Sequence, residues 1–455
     1  MTVTKHSQDS QAAVAQWEAS FEALVGAIAP QSADEHISLQ LSAEQSQFVR
    51  FNHAKVRQAG TVTDGKLHLS LVKNQRSITC EIPLTGDREQ DLAEAQGAIA
   101  QLRAEVDQLP PDPYAVVPSG SDTSHDVHAG HLLAPEAAAD RILAAVAELD
   151  FAGLYAGGAV VRAYADSAGQ KHWFVTDSYT LDYSLFAPDG QAVKGTIAGS
   201  QWDEAAYATQ IAEAKTQLQR LAQPPKAIAP GQYRTYLAPA AVGDLIDILS
   251  WGGVSEASMR QGGSALGLMR QEGKRLSPQF CLTEDFSSGL VPRFTPWGDV
   301  APIALPIVAH GELVNLLINR RTAKEYGLTA NGAGAHEGLR SPQVHPGSLS
   351  RDAILSELGT GLYLSNLHYL NWSDRPAGRI TGMTRYACFW VEDGEIVAPI
   401  ENLRFDESLY RFWGENLIAL TDFQEFIPNV GTYDSRRLGG NLVPGMVIKD
   451  FTYTL

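Results

Sequence analysis

The stretch GQYRTYLAPAAVGDLIDILSWGGVSEASMRQGGSAL, residues 231–266, decides the fold of the C-terminal half. Residues 233–237 are typical of a short strand, and Pro239 then opens about three helical turns that end at Trp251. A strand that leads into a helix in this way is a good platform for metal ligands or a catalytic acid. The ionisable residues of this helix are only Asp244 and Asp247, so the platform lacks the ligands that such chemistry uses.

The composition indicates a large, acidic chain. Its 455 residues are enough for about two or three domains. The 35 Lys and Arg residues against 52 Asp and Glu residues give a net charge of −17. Because DNA or RNA binding requires a basic patch, this excess of acid disfavours a nucleic-acid partner.

The sequence also gives an expectation for the location of the protein. The opening residues, MTVTKHSQDSQ, lack the apolar core of a signal peptide, and no stretch reaches the roughly 18 to 20 apolar residues of a membrane span. The cysteines Cys80, Cys281 and Cys388 are far apart and odd in number, which fits a reducing compartment. We therefore expect a cytoplasmic protein without a membrane partner.

Hydrophobic periodicity predicts a mixed N-terminal half. Apolar residues at helical spacing predict a helix over 11–28, and residues 48–84 alternate as in an antiparallel meander with turns at Asp64-Gly65 and Asn74-Gln75. Residues 110–130 read as a loop. Further helices are predicted over 87–106, 135–149 and 203–221. Further strands are predicted over 159–165, 172–176 and 180–186, and a turn at Asp177-Ser178 separates the last two strands.

The C-terminal half reads as rich in strands. The segment QPPKAIAP, residues 223–230, is the best linker because its three prolines favour an extended connection. We therefore divide the chain into domains 1–225 and 226–455. Strands are predicted over 304–309, 313–319, 361–367, 386–392 and 395–399, with Asp393-Gly394 as a hairpin turn. The predicted class is α+β, with a mixed N-terminal domain of meander and long helices and a β-rich C-terminal domain.

Two groups of histidines are candidates for a metal site. His125, His128 and His131 recur at every third position, but in a Ser/Gly-rich loop they lack rigid support, so a solvated loop is favoured over a metal site. His336 and His345 flank a segment that suggests part of a zinc-peptidase signature. Gly338, Pro342 and Pro346 prevent one helix from presenting both histidines, so these two are weak metal candidates.

Several ordered segments together resemble the TldD/PmbA family, which is metallopeptidase-related and also described as modulators of DNA gyrase. Arg50-Phe51-Asn52 is similar to the family's Arg-Phe-Ala-Asn element, with one residue absent. The other matching segments are LLINRRTAKEYGLTANGAG (316–334), ILSELGTGLYL (354–364), FWVEDGEIVAPI (389–400) and GGNLVPGMVI (439–448).

The resemblance implies which branch of the family this chain follows. Members with peptidase activity carry a His-Glu-Ala-Val-Gly-His type motif and a later Cys that together hold zinc. Aligned on Ala241-Val242-Gly243, the present chain has Pro239 at the first His, Ala240 at the catalytic Glu and Asp244 at the second His. Residues 429–445 contain no Cys. The side chains of Pro and Ala cannot bind zinc, so the chain resembles the non-catalytic, TldE-like branch.

These features lead to one expected function and two alternatives. We expect a subunit without a cofactor of its own, which pairs with a TldD-like zinc peptidase or with itself and binds an extended peptide. Candidate peptide or partner contacts are Tyr363, Asn366, Tyr369, Trp372 and Arg379. The alternatives are an autonomous metallohydrolase, using Asp244 with His336 or His345, and a homodimeric module that binds peptides or proteins.

Overall fold

The computed structural model describes residues 5–454 and has the expected α+β class. Its helices are α1 (Lys5–Ala27), α2 (Arg88–Glu105), α3 (Pro135–Ala144), α4 (Glu204–Leu221), α5 (Pro239–Ser250), α6 (Glu256–Arg260), α7 (Gly267–Glu272), α8 (Arg320–Tyr326) and α9 (Ile354–Leu358). Within the described part of the chain, none of these helices combines the length and apolarity needed to cross a membrane.

The strands form three sheets. They are β1 (Glu35–Asn52), β2 (Lys55–Lys73), β3 (Arg76–Pro83), β4 (Thr123–His128), β5 (Asp150–Asp166), β6 (Lys171–Phe186), β7 (Ala192–Gly199), β8 (Gly231–Leu237), β9 (Leu282–Asp285), β10 (Ala304–Ala309), β11 (Glu312–Leu313), β12 (Pro342–Val344), β13 (Gly361–Asp374), β14 (Arg379–Glu392), β15 (Glu395–Pro399), β16 (Arg404–Ser408), β17 (Leu417–Leu420), β18 (Glu425–Pro428), β19 (Gly440–Val443) and β20 (Met446–Tyr453).

The N-terminal sheet has the order β3-β2-β1-β5-β6-β4, and β7 also pairs with β6. Alternate residues of β1 point to opposite faces, as strand geometry requires. One face is apolar and packs on α1 and α2, with Leu39 and Leu41 against Phe21 and Leu24. The intervening positions Ser42, Glu44 and Ser46 lie on the other face, which meets the C-terminal half.

The C-terminal half contains the other two sheets. One has the order β11-β10-β9-β12-β19-β18, and the other runs β13-β8-β20-β16-β14-β15, with β17 beside β20. The second sheet closes on itself because β14 also pairs with β13. Helix α5 buries Val242, Leu245 and Leu249 in the main core of this half. The helix begins at Pro239 because proline at the first turn loses no helical hydrogen bond.

The meander differs from its prediction at one turn. Asn74 and Gln75 do form a turn, with φ of 50° and 61°. Asp64-Gly65 lies inside the long strand β2, and the chain instead reverses at His53-Ala54. A Cβ on Gly65 would approach Trp17 Nε1 to 3.3 Å, so this glycine makes room for the Trp17 ring rather than forming a turn.

Three further predictions are wrong because long-range pairing decides these segments. Residues 110–130 are not a plain loop, since 123–128 form β4, which pairs in parallel with β6. Asp177-Ser178 is not a break, because β6 pairs continuously with β5 through it. Residues 314–319 do not continue a strand. There, Leu317 N–H donates to Val254 O at 2.9 Å and Ile318 N–H to Asn331 Oδ1 at 2.9 Å, so a ladder cannot form.

Candidate functional site

A cavity of about 1350 Å³ lies between the N-terminal sheet and the C-terminal half. Its walls come from α4 and β7 on the N-terminal side and from α5, β13 and β18 on the other. Both halves also share an apolar core at this junction, where Phe389 of β14 joins Tyr183 and Tyr207. The cavity is therefore lined by packed structural elements of both halves.

The first turn of α5 lines this cavity through Pro239 and Ala240. Strand β8 delivers the helix to this place, and Ala238, in extended conformation, precedes its first turn. The two side chains carry no nitrogen, oxygen or sulfur atom that could bind a metal ion or move a proton. This part of the wall therefore contributes shape and apolar surface.

Asp244 and Asp247 follow on the same helix and also line the cavity. Asp244 Oδ2 accepts a hydrogen bond from Leu367 N–H at 3.1 Å. Burial raises the pKa of Asp244 to about 7, and the neighbouring Asp247 charge acts in the same direction. Asp247 Oδ1 accepts a hydrogen bond from Asn441 Nδ2 at 2.9 Å. The Asp247 side chain opens onto the cavity, but burial among protein groups still raises the pKa of its carboxyl.

This arrangement does not fit a catalytic zinc ion. Such an ion takes three protein ligands and a water molecule. Pro239 and Ala240 provide no ligand, and the carboxyl of Asp244 alone does not make up this set. Across residues 5–454, no group of three or more His, Cys, Asp and Glu side chains is arranged to hold a metal. No step of a metal-dependent reaction can be assigned to these residues.

Some of the other charges around the cavity are paired. Lys194 Nζ lies 2.7 Å from Asp182 Oδ1, and Arg351 Nη2 lies 3.1 Å from Glu425 Oε1. Burial raises the pKa of Glu425, and the Arg351 charge opposes this shift. The cavity therefore combines charge pairs with a carboxyl, Asp244, that titrates near neutral pH.

An aromatic wall completes the cavity. The rings of Tyr236 and Tyr363 lie 5.1 Å apart, and those of Tyr363 and Phe389 lie 6.2 Å apart. Burial raises the pKa of Tyr363 to about 12, so this side chain stays neutral in the physiological range. Such a wall offers apolar contact without charge.

The structure separates the five candidate contact residues into two groups. Tyr363 and Asn366 line the cavity together with Asp244. Tyr369, Trp372 and Arg379 lie in the outer part of the β13–β14 hairpin. There, Tyr369 is 77% exposed, Trp372 Nε1 donates to Trp251 O at 3.1 Å, and Arg379 Nη2 donates to Asp406 Oδ1 at 2.6 Å.

The weak metal candidates His336 and His345 are both exposed and do not line the cavity. Between them, Glu337 is buried and acts as an acceptor: Ser255 Oγ donates to Oε2 at 2.6 Å and Asn319 N–H to Oε1 at 2.9 Å. His345 Nε2 lies 3.1 Å from Thr283 Oγ1. The segment therefore has a structural role through Glu337.

The three N-terminal histidines belong to an ordered segment. His125 Nε2 lies 2.8 Å from Glu18 Oε1, which ties β4 to α1. The His128 ring packs on Phe174 with centroids 5.4 Å apart. His131 follows the strand, and its backbone N–H donates to Ser200 O at 2.7 Å.

Arg436 is among the residues of the cavity wall that sequence reasoning missed. It comes from the loop between β18 and β19 and is only 3% exposed. Its Nη2 donates to Ser178 O at 2.7 Å, and its Nη1 donates to Gly158 O at 3.2 Å. Its backbone N–H donates to Glu44 Oε1 at 3.0 Å. Burial lowers the pKa of Arg436 to about 10. No local sequence signal announces contacts across more than 250 residues.

The C-terminal half of the chain has the sequence pattern of a metallopeptidase-related class of domain. Residues 230–454 match the family model described as the PmbA/TldA metallopeptidase C-terminal domain. The C-terminal half of the chain, residues 230–454, therefore belongs to the TldD/PmbA family, as its sequence segments indicated.

Individual relatives extend this result. The chain is 28% identical over 144 residues to "Metalloprotease PmbA" of Escherichia coli O157:H7, a match that covers 31% of the chain and 29% of that relative's length. TldE from Thermococcus kodakarensis has a similar structure, with a TM-score of 0.77 at 13% identity over 92% of the chain and 97% of the relative. A protein from Thermotoga maritima, named as a candidate modulator of a DNA gyrase, also has a similar structure. Its TM-score is 0.75 at 14% identity, over 96% of this chain and 100% of that protein.

Proposed function

We propose that this chain is a non-catalytic, TldE-like subunit that pairs in the cytoplasm with a TldD-like zinc peptidase. In this function the partner supplies the zinc and the chemistry, and the present chain supplies part of the chamber that holds an extended peptide. The unpaired state of Cys80, Cys281 and Cys388 supports a reducing location.

The observation that carries the proposal is the position of Pro239 and Ala240. Both line the junction cavity at the first turn of α5, where the family resemblance expects a zinc ligand and a general base. The scaffold for the motif is therefore present, and its two key side chains have no donor atoms. Asp244, the third motif position, accepts from Leu367 N–H and contributes to packing.

The walls of the cavity support an extended peptide as the ligand. Strand β7 pairs only with β6, and β18 pairs only with β19, among the residues that the structure describes. Both strands line the cavity through residues such as Lys194 and Ile427. Strand edges bind peptide backbone with little demand on side chains, and Tyr363 provides apolar contact in the same cavity.

Co-expression with a chain that carries the intact His-Glu motif tests this function. The expected result is a stable complex that cleaves an unstructured peptide, while the present chain alone leaves the peptide intact. The converse result, cleavage by this chain alone at an equal rate, contradicts the proposal. Failure of any such chain to co-purify from native cells also contradicts it.

One observation favours a second candidate, a hydrolase that works alone. Asp244 and Asp247 are neighbouring carboxyls with raised pKa values in a cavity, an arrangement that also occurs in acid–base catalysis. Under this alternative, Asp244→Asn abolishes a peptidase activity of the isolated chain. Under the leading proposal, the isolated chain has no activity to lose.

The excess of acidic residues argues against a direct role on DNA. Relatives named for gyrase modulation share the fold with this chain at 14% and 15% identity. With 52 acidic and 35 basic residues, the chain lacks the charge balance that phosphate binding favours. We therefore include no nucleic-acid partner in the proposed function.

A further inference from the structure

The N-terminal sheet contributes a row of polar and basic side chains to the wall of the junction cavity. Ser42 of β1 is paired with Lys66 of β2 on one side and with Arg162 of β5 on the other. Residues directly opposite each other in neighbouring strands point to the same face of a sheet, and all three of these line the cavity. Lys66 has a partner, because its Nζ lies 3.5 Å from Glu81 Oε1.

Arg162 is held in this wall by backbone carbonyls. Its Nη1 donates to Val161 O at 2.8 Å and to Ala43 O at 3.4 Å, and its Nη2 donates to Arg436 O at 3.4 Å. A guanidinium has five N–H donors, so within the described structure an N–H of Nε and one of Nη2 remain. These two groups are neighbours on the guanidinium plane, and a carboxylate accepts from such a pair with both of its oxygens.

The positive charge at this end of the cavity faces inward. Arg162, Arg436 and Arg437 all line the cavity. The acidic groups that act on the first two are Glu44 and Asp177, and neither belongs to the cavity lining in the described residues. The arginines therefore stand between these acids and the cavity, and an anion in the cavity meets the arginines first.

The opposite end of the cavity lies far along the same sheet. Arg162 is paired with Phe174 of β6, and Asp182 is eight residues further along that strand, on the same face. At a rise of about 3.3 Å per residue, the two positions are on the order of 25 Å apart. Both Phe174's partner Arg162 and Asp182 line the cavity, so the cavity extends over this distance.

Acidic side chains predominate at this second end. Asp182 pairs with Lys194, and the Lys194 charge also acts on Asp244, which places Asp244 at the same end. Asp247 neighbours Asp244 on α5, and Glu213 lines the cavity from α4. Other lining residues here include Arg220, also on α4, and the ion pair of Arg351 with Glu425. The cavity thus has a basic end and an acidic end.

We propose that this polarity fixes the direction of the bound peptide, with a carboxylate at its C-terminal end bound by Arg162 and its amino-terminal side at the acidic end. The inference rests on the proposed function, since it takes a peptide as the ligand of the cavity. The separation of the two ends corresponds to about seven or eight extended residues. The reverse direction would bring the terminal carboxylate beside Asp247 and Glu213.

Isothermal titration calorimetry with the purified full-length chain tests the inference. The ligand is one unstructured eight-residue peptide, prepared with a free C-terminal carboxylate and as the C-terminal amide. The free acid should bind about ten-fold more tightly, as expected for a charge-assisted pair of hydrogen bonds. A third peptide, an amide that ends in glutamate, distinguishes the terminal carboxylate from a side-chain carboxylate: affinity at the level of the free acid assigns the site to either source, and affinity at the level of the plain amide assigns it to the terminus.

Two variants locate the effect. Arg162→Gln should abolish the difference between acid and amide, because the charge and the paired donors are lost. Arg57→Gln removes the same charge from an exposed position outside the cavity and should keep the difference.

Three results overturn the inference: equal affinity of the wild type for acid and amide, a preference for the acid that survives Arg162→Gln, and binding of neither peptide. The comparison of the two peptides on the wild type holds whether or not Arg162→Gln folds. Equal binding of acid and amide leaves the proposed function standing, because a peptide still binds. Failure of the proposed function is observed separately, as the absence of a cleaving complex on co-expression.

Discussion

The carboxyl of Asp244 accepts a hydrogen bond from the backbone N–H of Leu367 at 3.1 Å, and this contact joins α5 to β13. Both elements are walls of the junction cavity. At the position where the family resemblance expects a zinc-binding histidine, the chain therefore has a residue that fastens two walls to each other. Burial raises the pKa of Asp244 to about 7 and the hydrogen bond from Leu367 opposes this shift, so we expect the stability of the protein to depend on pH.

Asp244→Asn should stabilise the protein more strongly at pH 8 than at pH 5. The pKa of Asp244 is raised from 3.8 to about 7 on folding, so the wild type loses stability as the pH rises through this interval. The asparagine keeps an acceptor for Leu367 N–H and carries no charge. The gain in free energy of unfolding at pH 8 is at most about 4 kcal/mol.

Urea denaturation at the two pH values measures this difference. Asp434, an exposed residue, provides the matched control. Asp434→Asn should have the same small effect on the free energy of unfolding at both pH values. An Asp244→Asn effect of the same size at pH 5 and pH 8 would contradict the role of the buried carboxyl.

Arg436→Met should destabilise the protein by about 3 to 5 kcal/mol at neutral pH. The change removes a donor from Ser178 O and Gly158 O, and it removes one of the two positive charges near the buried Glu44, the other being Arg162. The neighbouring Arg437 is exposed, so Arg437→Met is the control and should stay within about 0.5 kcal/mol of the wild type. Chemical unfolding followed by circular dichroism distinguishes the two outcomes, and equal effects would count against Arg436 as the link between the halves.

Asn366→Ala should weaken binding of an unstructured peptide about five-fold, the loss expected for one hydrogen bond. Asn366 lines the cavity, whereas Tyr369 lies in the outer part of the same hairpin and is 77% exposed. Tyr369→Ala should therefore leave the affinity unchanged. Fluorescence anisotropy with a labelled peptide compares the two, using the complex with the peptidase subunit. A larger loss for Tyr369→Ala would move the peptide site to the hairpin.

Glu337→Gln should lower the free energy of unfolding by about 1 to 3 kcal/mol, because a neutral amide cannot replace both carboxylate oxygens as acceptors. Those oxygens accept from Ser255 Oγ, Ala257 N–H and Asn319 N–H. His336→Ala, at the exposed neighbouring position, should leave stability unchanged with or without zinc. Thermal unfolding with added zinc and with a chelator measures both variants, and a zinc-dependent loss in His336→Ala would favour the metal interpretation.

The sequence predicts those features that depend on local chemistry. Helix α5 is found where Pro239 and the Trp251-Gly252-Gly253 segment bound it, because proline and glycine act through their own backbone preferences. The Asp393-Gly394 turn follows for the same reason, with φ of 49° and 82°. The placement of Pro239, Ala240 and Asp244 on one element also follows from helical spacing.

The features that the sequence does not predict depend on distant partners. Asp64-Gly65 has the local signature of a turn, but pairing with β1 and contact with Trp17 keep it in a strand. Strand β4 is polar and forms because β6 offers it a free edge. Arg436 lies in an unremarkable loop, and its role arises from Ser178 and Gly158 on strands far away in sequence. Tertiary contacts override local propensity at each of these positions.

The zinc content of the chain purified alone and in complex tests the central claim most directly. The claim predicts little zinc and no peptidase activity in the isolated chain, because Pro239 and Ala240 supply no ligand or base. It predicts about one zinc ion per complex, bound by the partner. Stoichiometric zinc in the isolated chain, lost on Asp244→Ala or His336→Ala, would contradict the claim.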